Sequence, residues 1–248
     1  MTVIVCNEPT SAREVQCQRT RCYLPFPIAD GQTAICPWCS DHETYERLAP
    51  DHFARGIVEG AMQMCRSEFG VDDDGVGTAV WIGDGPETVL ESRLNRCNIY
   101  LGRKSNPLQI MYSGSHEAFH RVCSPCVGSH WADEMFAVLF SLLYLERAGQ
   151  GDHADLNRLG LVAQAEACSI EAMFAVNGGS CPDGLYGRVY ILGQSLIDCI
   201  GWDRLKMLAV TKSADGRMDL AAWLLSLLSH PGFDGDRFCR FPTFSWWV

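Results

Sequence analysis

What this sequence has little of narrows its class first. It contains no run of 18 uninterrupted apolar residues; its nearest approach, Met135–Leu145, is 11 residues long, too short to span a bilayer as a helix. No membrane partner is therefore expected. The opening residues, Met1-Thr2-Val3-Ile4-Val5-Cys6-Asn7-Glu8-Pro9, lack the basic segment and apolar core of an export signal. A reducing cytoplasm is the expected compartment. Basic residues are in deficit: 20 Lys and Arg stand against 30 Asp and Glu, a formal net charge of −10. That balance repels phosphate backbones and removes nucleic acid from the expected partners. Internal repeats and low-complexity tracts are missing too. With 47% hydrophobic and 20% charged residues, the composition is that of a globular chain.

Cysteine is abundant by contrast: 13 of 248 residues, an odd number. In a reducing compartment, grouped cysteines read as metal ligands or reactive thiols before they read as disulfides. Cys17 and Cys22 form one close pair, and Cys36-Pro37-Trp38-Cys39 another. Two such pairs on separate turns suit one tetrahedral metal, so residues 1–48 are expected to form a Cys-rich, zinc-knuckle-like head with a structural Zn2+ on Cys17, Cys22, Cys36 and Cys39. Cys6 is a substitute ligand. A redox Cys36/Cys39 pair and a set of unpaired thiols remain open as other readings. Residues 49–248 are expected to form the main domain.

Periodicity in that domain predicts a helix over 50–69, strands over 78–82 and 97–101, and helices over 130–147, 154–175, 186–200, 202–210 and 218–228. Asp72-Asp73-Asp74-Gly75 reads as a turn, because the further ligands of a calcium loop are missing. A few strands followed by helices predict an α+β fold.

The chemistry centres on His116-Glu117-Ala118-Phe119-His120. On a helix, residues i and i+4 share a face, so both imidazoles reach one zinc ion, with Glu117 beside it as a general base for water. Zinc needs a third protein ligand. After 13 intervening residues comes Glu134, within Trp131-Ala132-Asp133-Glu134-Met135-Phe136-Ala137. A carboxylate on a largely apolar helix is costly to bury unless a charge meets it, which a zinc ion would do. The competing reading is that Asp133 and Glu134 simply favour a helix N-terminus. His130 reads as a capping residue or as a second contact around the metal. Asp133 is a candidate to orient a metal-bound imidazole.

His-Glu-x-x-His followed by Trp-x-x-Glu-x-Phe-Ala resembles the gluzincin zinc metallopeptidases, in particular the catalytic core of the aminopeptidase N and leukotriene hydrolase group. A third segment, Tyr190-Ile191-Leu192-Gly193, is similar to that group's Tyr-x-x-Gly helix opening. The resemblance covers roughly residues 78–210. It implies a zincin-like fold: a small mixed sheet, an active-site helix and a helical C-terminal subdomain. It also implies His116, His120 and Glu134 as ligands of a catalytic Zn2+, Glu117 as the base, and Tyr190 as donor to the developing oxyanion, with Tyr186 one turn earlier as its substitute and Tyr112 as a lining residue. A strand beside the active-site helix pairs with substrate in zincins, a role Asn98–Leu101 is placed to fill. The chain departs from the group in three ways. Met135 stands in place of a glycine, the interval between His120 and Glu134 is shorter, and no Gly-x-Met-Glu-Asn segment is present. Aminopeptidase specificity is therefore not carried over.

The expected function is zinc-dependent hydrolysis of a peptide or small amide. Two other readings stay open: a zincin fold recruited to a small-molecule biosynthetic reaction, and a non-catalytic zinc-containing interaction module. Cys123 and Cys126, in the linker after His120, are left among structural, disulfide and metal-binding roles.

Overall fold

The computed structural model describes residues 13–17, 26–28 and 44–231, apart from 84–85, 92–95, 104, 124–129, 177–180 and 215. The chain mixes α and β structure, as the sequence predicts. One six-stranded sheet is built from β1 (Arg13–Cys17), β2 (Phe26–Ile28), β3 (Thr44–Arg47), β4 (Gly77–Gly83), β5 (Glu87–Glu91) and β6 (Arg96–Gly102). Their spatial order is β2-β1-β3-β4-β6-β5. Only β4 and β6 run parallel; the other pairs are antiparallel. The sheet crosses the boundary expected at residue 48, since β3 pairs with β4 through Glu46↔Ile82 and Arg47↔Trp81. Cys22, Cys36 and Cys39 lie outside the described residues, and Cys17 is described only by its backbone at the end of β1.

β6 is buried along Cys97–Leu101, the pattern of a strand covered on both faces. Val80, Ile99 and Leu101 join the main core, whereas Ala79, Trp81 and Tyr100 form a second, smaller cluster. This interior place overturns the expectation that Asn98–Leu101 is the free strand. Among the described residues the outer strands are β2 and β5, and β5, which the sequence pattern does not predict, is the one beside the helix of Glu117.

The helices follow as α1 (Phe53–Phe69), α2 (Pro107–Cys123), α3 (Trp131–Arg147), α4 (Gly151–Gln164), α5 (Ile170–Phe174), α6 (Leu185–Ile200), α7 (Trp202–Val210) and α8 (Leu220–Leu228). The helix expected over 154–175 is interrupted. Cys168 is extended, and the Ser169 side chain caps a new helix by accepting from Ala172 N, as Ser does at an N-cap. Among the described residues, no helix is long and apolar enough to cross a membrane.

α3 is the axis of the core. Trp131 to Leu142 is buried without interruption, the signature of a helix surrounded on all sides. α2 lies against it through aromatic contact: Phe119 stacks on Phe136 with ring centroids 6.0 Å apart at 21°. α6 reaches it on another side because Gly193 leaves room; a Cβ there would sit 2.7 Å from Leu139 Cδ1 and 3.0 Å from Met135 Cγ.

α2 is also pinned to the loop before β4. Arg121, fully buried, donates to Thr78 Oγ1 at 3.0 Å, to both carboxylate oxygens of Asp74 at 2.9 and 2.7 Å, and to Val76 O at 2.5 Å. The Asp-rich turn is thus an arginine clamp. Arg121's hydrogen bonds, set against partial burial, hold the Asp74 carboxyl below its ordinary value. Asp74→Asn leaves a buried guanidinium short of its counter-charge, at a cost of about 2 kcal/mol; that is below the figure for a fully buried pair, because the Asp74 side chain is 39% exposed. With the folded value depressed, this contribution is present above the unfolded pKa of about 4 and lost as pH falls through the folded value. Urea denaturation at neutral pH and near pH 3 should show a large difference between wild type and variant at the first and little at the second.

Candidate metal centre

α2 begins where the sequence says a helix should. Pro107 occupies its first position and Asn106 Oδ1 accepts from Gln109 N at 2.8 Å, a side-chain N-cap followed by proline. The helix carries His116 and His120 one turn apart on the face turned to the start of α3. α3 is capped by His130, whose Nδ1 accepts from Ala132 N at 3.2 Å. That cap places Glu134 in the first turn, where the expected effect of an acidic residue on the helix terminus also operates.

Three ligand atoms converge. His116 Nε2 lies 3.1 Å from Glu134 Oε2, His120 Nε2 lies 3.2 Å from His116 Nε2, and His120 Nε2 lies 3.5 Å from Glu134 Oε2. Zinc–nitrogen and zinc–oxygen bonds of roughly 2.0–2.1 Å in a tetrahedron put neighbouring donors about 3.3 Å apart. The triangle therefore fits one tetrahedral face of a zinc ion. Among the described residues this is the one cluster of its kind, and it is the His2Glu set that the motif spacing predicts.

The electrostatics favour a cation. Burial alone would raise the Glu134 carboxyl, but the charges and hydrogen bonds of His120 and His116 hold it well below the usual carboxylate range. Burial alone would lower His120; Glu134 outweighs it and lifts the imidazole to about 9. Two ring nitrogens and a carboxylate thus meet in a desolvated place, where a bound cation, proton or metal, offsets the carboxylate charge.

Glu117 is buried beside these groups, and its charge acts on both His120 and Tyr186. Thr88, on the edge strand β5, donates to Glu117 Oε2 at 2.5 Å and lies 3.2 Å from the Glu117 carbonyl. The hydroxyl fixes one carboxylate oxygen and ties the sheet edge to the helix. Nothing in the sequence pointed to Thr88; the available signal was the short alternation of Glu87-Thr88-Val89-Leu90-Glu91, easily lost beside longer strands.

Tyr190 is not brought to this place. It borders a separate cavity of about 180 Å³ with Glu146, Arg158 and Trp202. Tyr186, one helical turn earlier, is the tyrosine at the centre. Its ring meets His116 edge-on, with centroids 5.6 Å apart at 83°. Although 40% of the residue is exposed, desolvation of the hydroxyl end pushes the phenol well above its ordinary value, with the Glu134 charge, Cys181 and the Glu117 charge adding to the effect. It therefore stays a protonated donor throughout the neutral range. The pitch of about 5.4 Å per turn explains how adjacent-turn tyrosines serve different cavities.

Asp133 is buried, and its charge is felt by His120, His130 and Lys212. Cys123 is in the core, its sulfur 3.8 Å from that of Cys65 as a free thiol. Burial pushes the Cys65 thiol well up, the condition of an unreactive packing residue. Cys126 lies outside the described residues. No protein-family model, curated protein or solved structure matches this chain.

Proposed function

We propose that the protein is a zinc-dependent metallohydrolase of zincin-like fold that cleaves a peptide or amide bond. The observation that carries this reading is the triangle of His116, His120 and Glu134 donor atoms at 3.1–3.5 Å, with the carboxylate of Glu117 next to it. Zinc, when bound by these three side chains, supplies Lewis acidity toward a carbonyl and lowers the pKa of water. Glu117 takes a proton from the attacking water and returns it to the leaving nitrogen, so one carboxylate serves as base and then as acid. Thr88 holds that carboxylate in place through its second oxygen. Tyr186 donates its hydroxyl proton in a hydrogen bond to the developing oxyanion, a role for which a neutral phenol is suited. The outer edge of β5, unpaired among the described residues, offers backbone groups to an extended substrate.

Elemental analysis of the purified chain tests the centre. His116→Ala and Glu134→Ala should each remove one equivalent of zinc relative to wild type and abolish amide hydrolysis. Unchanged zinc content in both variants would overturn the assignment. Any second equivalent, held by the cysteines of residues 1–48, should persist in both and disappear in Cys36→Ser.

A further inference from the structure

Beside the candidate centre lies a cavity of about 520 Å³, within the range of roughly 300–1,000 Å³ typical of small-molecule sites. It is an open cleft lined by residues of α2, α4 and α6 together with Pro86 and Ser105, and it shares His116 and Tyr186 with the centre. Three observations bear on what it takes.

The first is its charge. Among the described residues that line it, none is Lys, Arg, Asp or Glu; its polar edge is made of the carboxamides of Gln109, Asn157 and Gln164, of hydroxyls, and of the His116 and His153 imidazoles. In a chain of net charge −10, a neutral lining next to two carboxylates is selective. An ionised group seated at the α4 side of the cavity, away from the centre, would give up water without meeting a counter-charge in the lining. The walls are otherwise flat and apolar: Tyr112 and Tyr186 with Leu156 and Leu161, and burial pushes the Tyr112 phenol well above its ordinary value. Such walls suit a ring.

The second is an orphaned polar atom. His153 lines the cavity, and its Nε2 is buried with no hydrogen-bond partner among the described residues. A buried ring nitrogen left unpaired is uncommon in native proteins; it is closed to water as the ring stands, and a turn of the imidazole toward the cavity would let a ligand's hydroxyl or carbonyl pair it.

The third is Gly160. It sits in the interior of α4, where glycine costs about 1 kcal/mol relative to alanine. Neither backbone nor packing asks for it: its φ is not in the left-handed region, and a Cβ would meet nothing within 4 Å. It lines the cavity, and its missing side chain keeps that volume empty.

We propose that this cavity is the specificity pocket of the candidate centre and takes an uncharged aromatic group bearing a hydrogen-bonding substituent, of which a tyrosine side chain is the simplest. As a specificity pocket it rests on the metallohydrolase reading; as a binding site it does not, and the experiment separates the two. Ligand-detected NMR titration of the full-length, zinc-loaded chain compares N-acetyl-tyrosinamide with N-acetyl-phenylalaninamide, N-acetyl-lysinamide and N-acetyl-glutamic acid amide. The tyrosine probe should bind about tenfold or more tighter than either charged probe. Gly160→Leu should weaken it about tenfold while melting no lower than wild type, since leucine is the better helix former. His153→Phe should erase the preference for tyrosinamide over phenylalaninamide and leave the preference for uncharged probes. Equal binding of charged probes, or an unchanged affinity in Gly160→Leu, would overturn the proposal. Discriminating binding without any Glu117-dependent hydrolysis keeps the pocket and removes the hydrolase. Glu117-dependent hydrolysis that is indifferent to side-chain charge does the reverse.

Discussion

Glu117→Gln should retain its zinc and lose amide hydrolysis by about 10²–10⁴-fold, the usual contribution of a positioned general base. Glutamine matches glutamate in shape and keeps an oxygen for the Thr88 hydroxyl, which donates to Glu117 Oε2 at 2.5 Å. The three ligands are untouched, so metal content and melting temperature should stay at the wild-type level. The missing property is the ability to accept a proton. A zinc-loaded Glu117→Gln that turns over substrate at the wild-type rate would sink the mechanism. Thr88→Val provides a graded companion: it removes the hydrogen bond that orients the carboxylate, and about a tenfold loss is expected, with Thr88→Ser restoring activity.

Gly187→Ala should be the most damaging of the small substitutions to stability. Gly187 faces the end of α4, and a Cβ there would collide with the Leu161 carbonyl oxygen and lie 2.7 Å from Ala165 N. Both are backbone atoms, so no side-chain rotation relieves the overlap and α6 must move. Overpacking of this kind costs about 3 kcal/mol or more. Because Tyr186 is the neighbouring residue, its edge-on contact with His116 should loosen as well. Denaturant unfolding of Gly187→Ala beside Gly160→Ala gives an internal contrast. The first should lose stability, and the second should gain up to about 1 kcal/mol. Wild-type stability in Gly187→Ala would show that α6 does not rest on α4 as described.

Spacing along one helix is legible in a sequence, and placement between helices is not. His116 and His120 converge because i and i+4 share a face, and Glu134 was conspicuous as a carboxylate among apolar neighbours. Which tyrosine meets them depended on how far α6 slides along α3, a matter set by Gly187 and Gly193 through close approach. The Tyr-x-x-Gly pattern favours Tyr190, and the helix places Tyr186, one turn earlier, at the centre. β5 escaped notice because five residues carry little periodic signal. Asp72, Asp73 and Asp74 read as a turn, but the partner of Asp74, Arg121, lies 47 residues away, beyond the reach of local pattern. The long helix after α3 broke at Ser169, since a capping side chain competes with helix continuation.

The aromatic seam between α2 and α3 has a consequence for the proposed metal centre. Phe119 precedes His120 directly and Phe136 follows Glu134 by two residues, and the two rings stack. The donors are therefore held in register by carbon contacts, and ordering them is part of folding the chain. Binding an ion then draws little on conformational entropy, unlike the small metal domains that unfold when stripped. A chelator should yield a folded apoprotein that takes its zinc back. Phe136→Leu should soften affinity for the ion from a position that never touches it.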